Sequence, residues 1–557
     1  FVGYSGKSGV VKADKIDVLG SNSGQLLGGA LGVMDIFGSH IDECTVTGTD
    51  DGYTVQSTNG EEQIAGGFIG YGSGVQVSYC DVTSLKHTSV TEPKNGLEDT
   101  DGSTYFNDEQ SKYAVTGARY AGGYIGYMDI GSAASVGKGL RVLGKSIGIK
   151  NVLDALNVVV STIEYSNVTG NVGGFAVKAS WKNTASDASE NDVLGDAGGF
   201  AGKISGGHIQ DSNANNFSYI IGQITAGGYV GDLQPGNVAN VLGDATILGG
   251  LVNAESALAS VAEDFVPTIR NSSTTCIPCG GAVRADAAST TQIQRGMAGG
   301  YAGHNEGGHI WGNNTKKWKG EKYTGPTSTC KAVRIRSVYG KEIAGGFTGL
   351  MESADTASTG NLSLLWGLVK VDNILGALSV VYPTEENTAV YGPLAQMDYE
   401  TWNKWVKFVG KKGGYGSDLA ANGTVKNQAE LDKIIGKYAY GYNVVAGRVN
   451  YRDEIKLANG GAAGGYVGSM QTGTITNGQA YQAKTIKGIR CAGGFAGEMI
   501  NGGAAKLGGV DILGLNLQLG QMINVLNVFV PVIKQSSVDG YQSGLRVQSN
   551  GTSENEA

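Results

Sequence analysis

Hydrophobic positions in this chain come singly or in short runs between glycines, and one phrase recurs: small, Gly, Gly, aromatic, small apolar, Gly. It reads AGGFIG at Ala65, AGGYIG at Ala121, VGGFAV at Val172, AGGFAG at Ala197 and AGGYVG at Ala226. It returns as AGGYAG at Ala298, AGGFTG at Ala344, AGGYVG at Ala463 and AGGFAG at Ala492, with a weaker copy, LGGALG, at Leu27. Three glycines in six residues exclude a helix, since each interior glycine costs about 1 kcal/mol there. A period of two predicts a strand, with Ala65, Gly67 and Ile69 on one face and Gly66, Phe68 and Gly70 on the other. The residue after the aromatic is small or mid-sized, which places that face inward. The aromatic is Phe or Tyr in every full copy, so its edge is expected to reach water, with the flanking glycines letting the ring lie flat on the backbone. Repeats at intervals of 20–50 residues indicate stacked architectures. The fold class expected is mainly β: a parallel β-helix or β-solenoid built from Gly-Gly-aromatic repeats, with short helical segments and long loop insertions between rungs. Stacking would align Phe68, Tyr124, Phe175, Phe200, Tyr229, Tyr301, Phe347, Tyr466 and Phe495 in one structural ladder.

Two kinds of unit alternate after the phrase. One continues through a second glycine turn into a polar strand, as in KISGGHIQDSNANN after Gly202 and HNEGGHIWGNN after Gly303. The other runs into an apolar segment: Ile149–Ile163, Leu258–Ile269, Ile374–Tyr382 or Met522–Ile533. Met522, Leu526, Phe529, Val530 and Ile533 fall at helical spacing, with an extended strand throughout as the alternative. Pro267, Pro383 and Pro531, with Ser161 at the same place in the first copy, mark where the helix should end and the chain extend. The chain thus reads as a single solenoid over 1–548. It has entry coils at 27–64 and super-repeats at 65–196, 197–297, 298–462 and 463–548. Insertions are expected at 91–120, 311–341 and 391–460, and a disordered tail at 549–557. The sequence begins at Phe1 inside the repetitive region, which suggests a fragment of a longer protein.

Composition narrows the class. Glycine accounts for 92 of 557 residues and proline for only 8, so neither collagen nor a Pro/Gly-rich disordered chain fits. A net charge of −8 speaks against nucleic acid as a partner and against docking on anionic lipid. No apolar run reaches the length of a membrane span.

Within this frame, AGGYAGHNEGGHIWGNN (Ala298 to Asn314) resembles the GLUG motif of bacterial surface proteins, through Gly299, Gly300, Tyr301, Ala302, Gly303, Asn305, Gly307, Gly308 and Ile310. AGGFAGKISGGHIQDSN fits apart from Ile204 in place of Asn. The resemblance covers the repeat phrases, not the insertions. It implies a β-solenoid on a bacterial, Gram-positive cell surface. Some family members are attached to immunoglobulin-cleaving zinc proteases, but no His-Glu-x-x-His occurs in this sequence, so that activity does not carry over.

Chemistry-bearing motifs are sparse. GLRVLGKS (Gly139 to Ser146) matches a phosphate-binding loop formally. Its sister copies at Ala245 and Val510 lack the Lys-Ser pair and keep only the apolar-Leu-Gly core, which is packing. Cys44 and Cys80 occupy the same local phrase and, on adjacent rungs, would form either a disulfide or stacked thiols. Cys276, Cys279, Cys330 and Cys491 lack zinc-knuckle spacing and read as disulfides or buried thiols; no metal site is assigned. His208 and His309 share one repeat position on the expected surface, and His304 stands beside the second with no evident ligand partner. Asp99 and Asp101 resemble the start of a calcium loop without the remaining ligands; otherwise no cofactor is expected. Trp311, Trp318 and Tyr323, set among lysines, and Trp402 and Trp405, in a helix-like stretch, are the candidate ligand-binding residues. For the last two, the core of a small insert is the competing role.

No catalytic residues are assigned. The function expected is that of a non-enzymatic extracellular adhesin or host-factor-binding module. Its partners would be a host glycoprotein, a glycan or immunoglobulin. The alternatives are a carbohydrate-active β-helix enzyme, either polysaccharide lyase or glycosidase, and a stalk projecting another domain.

Overall fold

The computed structural model describes residues 39–48, 52–57, 63–86, 113–130, 160–179, 181–182, 193–236, 266–286, 296–312, 317–318, 321–322, 328–354, 382–412, 417–438, 441–447, 461–500, 530–541 and 544–549. The weaker phrase at Leu27, the Gly139 motif, Asp99, Asp101 and the helical parts of the four apolar segments lie outside the described residues.

The protein is mainly β, and the strands of its three large sheets run parallel. Each phrase contributes two short strands, not one. In the first copy these are Ile64–Gly66 and Ile69–Ser73, with a bend at Gly67 and Phe68 between them. The eight strands equivalent to Ile64–Gly66 form one eight-stranded sheet, and those equivalent to Ile69–Ser73 form a second. Most of the described strands between one phrase and the next join a third sheet of 23 strands. In the first of the eight-stranded sheets the register repeats without slippage: Ala65 pairs with Ala121, Ala121 with Ala197, and Ala197 with Ala226, whereas the large sheet carries several bulges. Eight of the phrases therefore lie on successive levels, two in each expected super-repeat, and Ser39–Asp42, Thr45–Thr47 and Val55–Ser57 pair below the first.

Each glycine of the phrase has its own steric reason. A methyl group on the first, Gly66, would sit 1.8 Å from the Ile69 carbonyl oxygen, so the bend closes only without a side chain. On the second, Gly67, it would sit 2.1 Å from the carbonyl oxygen of Gly123, one level up. On the third, Gly126, it would sit 2.6 Å from the Ala65 carbonyl oxygen of the neighbouring sheet. The same three clashes recur through the stack; Gly228, for example, would meet the Gly300 oxygen at 2.0 Å. The glycines thus serve backbone contact between levels and sheets, not a resting place for the ring.

The aromatics do align. Phe68, Tyr124, Phe200, Tyr229, Tyr301, Phe347, Tyr466 and Phe495 form a continuous stack with centroid separations of 4.7 to 5.1 Å. That matches the strand spacing of a sheet, and each contact adds about 0.5–1.5 kcal/mol beyond burial. Two expectations are corrected. The rings point inward, and the first seven are fully buried. The bend resets the alternation, so period two cannot be carried across the phrase. Tyrosine is accepted because its hydroxyl reaches across the core to the level below: Tyr124 donates to the Cys80 carbonyl at 3.1 Å, Tyr229 to Ser212 at 2.9 Å and Tyr301 to Ser272 at 2.9 Å. Phe175 is not a rung; its strand, Phe175–Ala179, lies in the large sheet, paired with Phe217.

The large sheet turns at a column of left-handed residues, among them Glu43, Tyr79, Tyr165, Asp211, Asn271, Asn387, Asn477 and Gln535, with φ between 46 and 55°. Non-glycine residues adopt this region at a cost. The residue that follows compensates by bonding to its own strand and to the level below. Ser166, Ser212 and Ser272 each donate to the carbonyl two residues back and accept a backbone N–H from the level below. Cys44 and Cys80 occupy this serine column as free thiols, with the Cys44 N–H directed at the Cys80 sulfur at 3.3 Å. No disulfide joins the remaining four cysteines.

The expected insertions are narrower than their sequence bounds. Val115–Gly117, Cys330–Val333, Ile335–Gly340 and Tyr442–Ala446 belong to the large sheet. Between the strands Thr384–Tyr391 and Tyr442–Ala446 lies a helical unit: α1 (Tyr399–Lys412), α2 (Ser417–Ala420) and α3 (Gln428–Tyr438). Asp398 caps α1 through the Thr401 N–H, and Asn427 caps α3 through the Glu430 N–H. Arg334 fastens the unit to the sheet, donating to the carbonyls of Cys276, Ala395 and Gln396.

Substituting Gly228 with Ala should cost at least about 3 kcal/mol, because both clashing groups are backbone. Gly410, exposed in α1 with nothing within 4 Å of an added methyl, should gain about 1 kcal/mol on the same change. Urea unfolding of the two variants tests this pair; effects of the same sign would refute the account of the glycines.

Candidate functional site

Of the sequence-derived candidates, Trp402 and Trp405 are corrected: they are 0 and 1 % exposed and form the core of the helical unit with Leu394, Val406 and Leu431. Their helical spacing directs both rings inward, and the Trp402 indole N–H is bonded to the Gly423 carbonyl. Trp311 is packed on the outer face of the large sheet. Its indole N–H donates to Thr384 at 2.7 Å, His309 stacks at 4.6 Å, and the Arg270 guanidinium lies 5.3 Å from its ring. Trp318 belongs to a two-residue strand, Lys317–Trp318, paired antiparallel with Glu321–Lys322, while Tyr323 is outside the described residues. Among the described residues, Trp311 is not brought together with Trp402 and Trp405. His208, expected on the surface, is buried.

The chemistry-bearing cluster lies elsewhere. In every level the residue before Ala-Gly-Gly (or its variant) and the residue seven positions later emerge from the two short-strand sheets beyond the glycine contact. One row runs Ile64, Tyr120, Asp196, Thr225, Met297, Ile343, Ala462, Cys491. The other runs Tyr71, Tyr127, Lys203, Asp232, His304, Leu350, Ser469, Glu498. The rows meet along a seam. Tyr120 lies 5.0 Å from Tyr127, and Lys203 Nζ is 5.5 Å from the Tyr120 ring centre. Met297, Ile343 and Leu350 form a buried apolar cluster, and Arg490 pairs with Glu498.

Its middle three levels are ionic. Asp232 accepts from Lys203 Nζ at 2.9 Å through one oxygen and from His304 Nδ1 at 2.9 Å through the other. His304 Nε2 reaches Glu352 Oε1 at 3.1 Å. Both acceptors are carboxylates, so the imidazole carries both protons. Burial alone would lower the His304 pKa, but the bonds to Asp232 and Glu352 win and raise it to about 10. Burial likewise works against the Asp232 charge, yet Lys203 and His304 hold that carboxyl far below the usual range. Asp196 behaves oppositely: burial first, and then the Asp232 charge, raise its pKa to about 7, although Thr225 donates to it at 2.9 Å. These middle levels therefore hold two cations, two anions and one acid that changes charge near neutrality. Among the described residues no group of three or more His, Cys, Asp and Glu is arranged to hold a metal ion.

Sequence reasoning missed this seam because it read the inside of the phrase and not its flanks. The available signal was the constant spacing of seven between the flanking positions. Glu352 comes from the strand one level above His304, a proximity that only the stacking creates. A further buried acid, Glu385, stands in a column otherwise occupied by Ile209, Ile269, Ile310 and Ile475. Thr348 donates to it at 2.6 Å and Tyr466 at 2.9 Å.

A folded pKa above the unfolded value means that His304 stabilises fully below the unfolded histidine value. That contribution fades as pH rises through about 10. His304→Gln should lose about 3 kcal/mol at pH 6, with the difference from wild type shrinking toward pH 10. Denaturation midpoints measured across that window check it; parallel curves for the two proteins would contradict it. No family model, no curated protein and no solved structure matches this chain.

Proposed function

We propose that the three sheets are the faces of one β-solenoid, and that it acts without catalysis as a binding and display module on a bacterial cell surface. The observation that carries this is where the chain leaves the stack. At the second, fourth, sixth and eighth levels it departs after the second-sheet strands Ile125–Asp129, Val230–Gln234, Thr348–Glu352 and Ala496–Met499. It re-enters at Thr162–Glu164, Thr268–Arg270, Thr384–Tyr391 and Val532–Lys534. At the odd levels a short turn makes the same connection. Four insertions of similar length and sequence thus leave one corner at every second level, about 10 Å apart from the strand spacing. Insertions presented on one face of a repetitive scaffold are where recognition concentrates. The GLUG-like residues support the surface setting: Asn305 closes the Gly307–Gly308 turn by accepting the Gly308 N–H at 2.9 Å. The partner class is a host glycoprotein, a glycan or immunoglobulin.

The seam favours one second reading, a carbohydrate-active enzyme, because Asp196 titrates near neutrality beside another carboxylate. Against it, Asp232 and Glu352 are engaged by Lys203 and His304.

Replacing residues 131–159, 237–265, 355–381 and 501–529 one at a time by short Gly-Ser links tests the display reading, read out on mucin glycans, host glycoproteins and immunoglobulin. Binding by the parent chain should fall at least tenfold in one or more variants while the β signal in circular dichroism persists. No binding by the parent chain, or equal binding by all four variants, would leave only a spacer. Release of reducing ends or unsaturated sugars, abolished by Asp196→Asn, would favour the enzyme.

A further inference from the structure

Two residues in the left-handed column of the large sheet are out of keeping with the rest. Asp211, Asn271, Asn387 and Asn477 occupy four of its levels, and their short polar side chains suit that backbone conformation. At two successive levels the column instead holds Tyr79 and Tyr165, with φ of 53 and 50°. A bulky side chain adopts this conformation at a cost. Burial does not offset it, since the two residues are 59 and 37 % exposed. Their rings stack on each other, with centroids 5.0 Å apart and planes 8° from parallel. Backbone strain kept at an exposed position points to a role other than packing.

The pair lies within the column, not at its end. Glu43 occupies the level below Tyr79, and Asp211 the level above Tyr165. Partial burial raises the Tyr165 pKa, and the charges of Asp211 and Glu164 add to it, so both carboxylates are within electrostatic reach of that ring. Asp42 accepts from the Ser78 hydroxyl at 2.6 Å, and Asp81 accepts the Asn167 N–H at 2.8 Å, which fixes a further acid on either side of the column. The four segments that build this corner, 39–47, 75–85, 160–169 and 208–215, carry five carboxylates and neither Lys nor Arg.

We propose that the Tyr79–Tyr165 ridge is a docking surface for an arginine-bearing cationic segment of a partner protein. A guanidinium lies flat on a tyrosine ring and pairs with a carboxylate through two parallel hydrogen bonds, so it uses both elements of this corner at once. An ammonium takes up the charge without the planar stacking. The ridge belongs to the sheet and not to the insertions, so the proposal goes beyond the display reading and does not depend on it.

Fluorescence anisotropy of a labelled nona-arginine peptide, titrated with the full chain, tests it. The parent chain should bind this peptide in physiological salt, bind nona-lysine more weakly, and lose affinity as salt is raised. Tyr79→Asn combined with Tyr165→Asn installs the residue that the column uses elsewhere and leaves the net charge unchanged. That variant should melt no lower than the parent and lose about tenfold in affinity for nona-arginine. If it folds poorly, Glu43→Gln combined with Asp211→Asn supplies the same readout. No binding by the parent chain, equal affinity for the two peptides, or undiminished binding by the folded variants would overturn the proposal.

Discussion

The structure depends on backbone approaching backbone with no side chain between. At each phrase the chain folds back so tightly that a carbonyl oxygen takes the place of a side chain, and the next level lies on it at the distance of a β-ladder. Alanine would be too large at all three glycines, each for a different contact. Because those contacts are made by main-chain atoms, they cannot be relieved by a rotamer change, so the phrase recurs almost unaltered while the segments around it vary freely in length. The insertions are tolerated for the same reason: they enter between levels without disturbing the pairing that defines a level.

Around that constraint the sheets enclose two interiors, besides the core of the helical unit. The larger lies inside the ring stack, where eight aromatic residues and the columns of Ile, Val and Ala supply most of the buried apolar surface. Tyrosine and phenylalanine alternate there without penalty, because each fully buried tyrosine hydroxyl reaches an acceptor in the level below. The smaller is the seam beyond the glycines. Its first two levels are aliphatic and aromatic, its middle is a charge-balanced chain of Lys203, Asp232, His304 and Glu352, and its last level carries the Arg490–Glu498 pair. Removing one member leaves the others buried without their partner, which is costly in a low-dielectric environment. Asp196 is the exception, since its proton is held weakly at neutral pH.

Much of this was legible in residue order. The spacing of the phrases announced stacking, the identity of Phe68, Tyr124 and Tyr301 announced a ladder, and the prolines at 267, 383 and 531 marked where strands begin. The errors come from reading local patterns alone. Period two was carried through a bend that short-range patterns do not reveal, so the rings were turned outward. Phe175 was counted as a rung because its phrase looks like the others, although its strand is recruited by Phe217 in another sheet. The tryptophans of α1 were offered as ligand contacts, but their helical spacing served the core of their own unit.

The sequence by itself determined that the chain repeats, that the repeat is extended, and which residues are small enough to be stacked, because sterics at the level of a single methyl group are written in residue identity. Tertiary structure alone decided what the stacking brings together. His304 meets Asp232 from below and Glu352 from above; Cys80 takes the place of a serine beneath Ser166. Those relations join residues tens of positions apart, and the distances between them follow from the rise per level and the insertions that separate one level from the next, not from any local pattern.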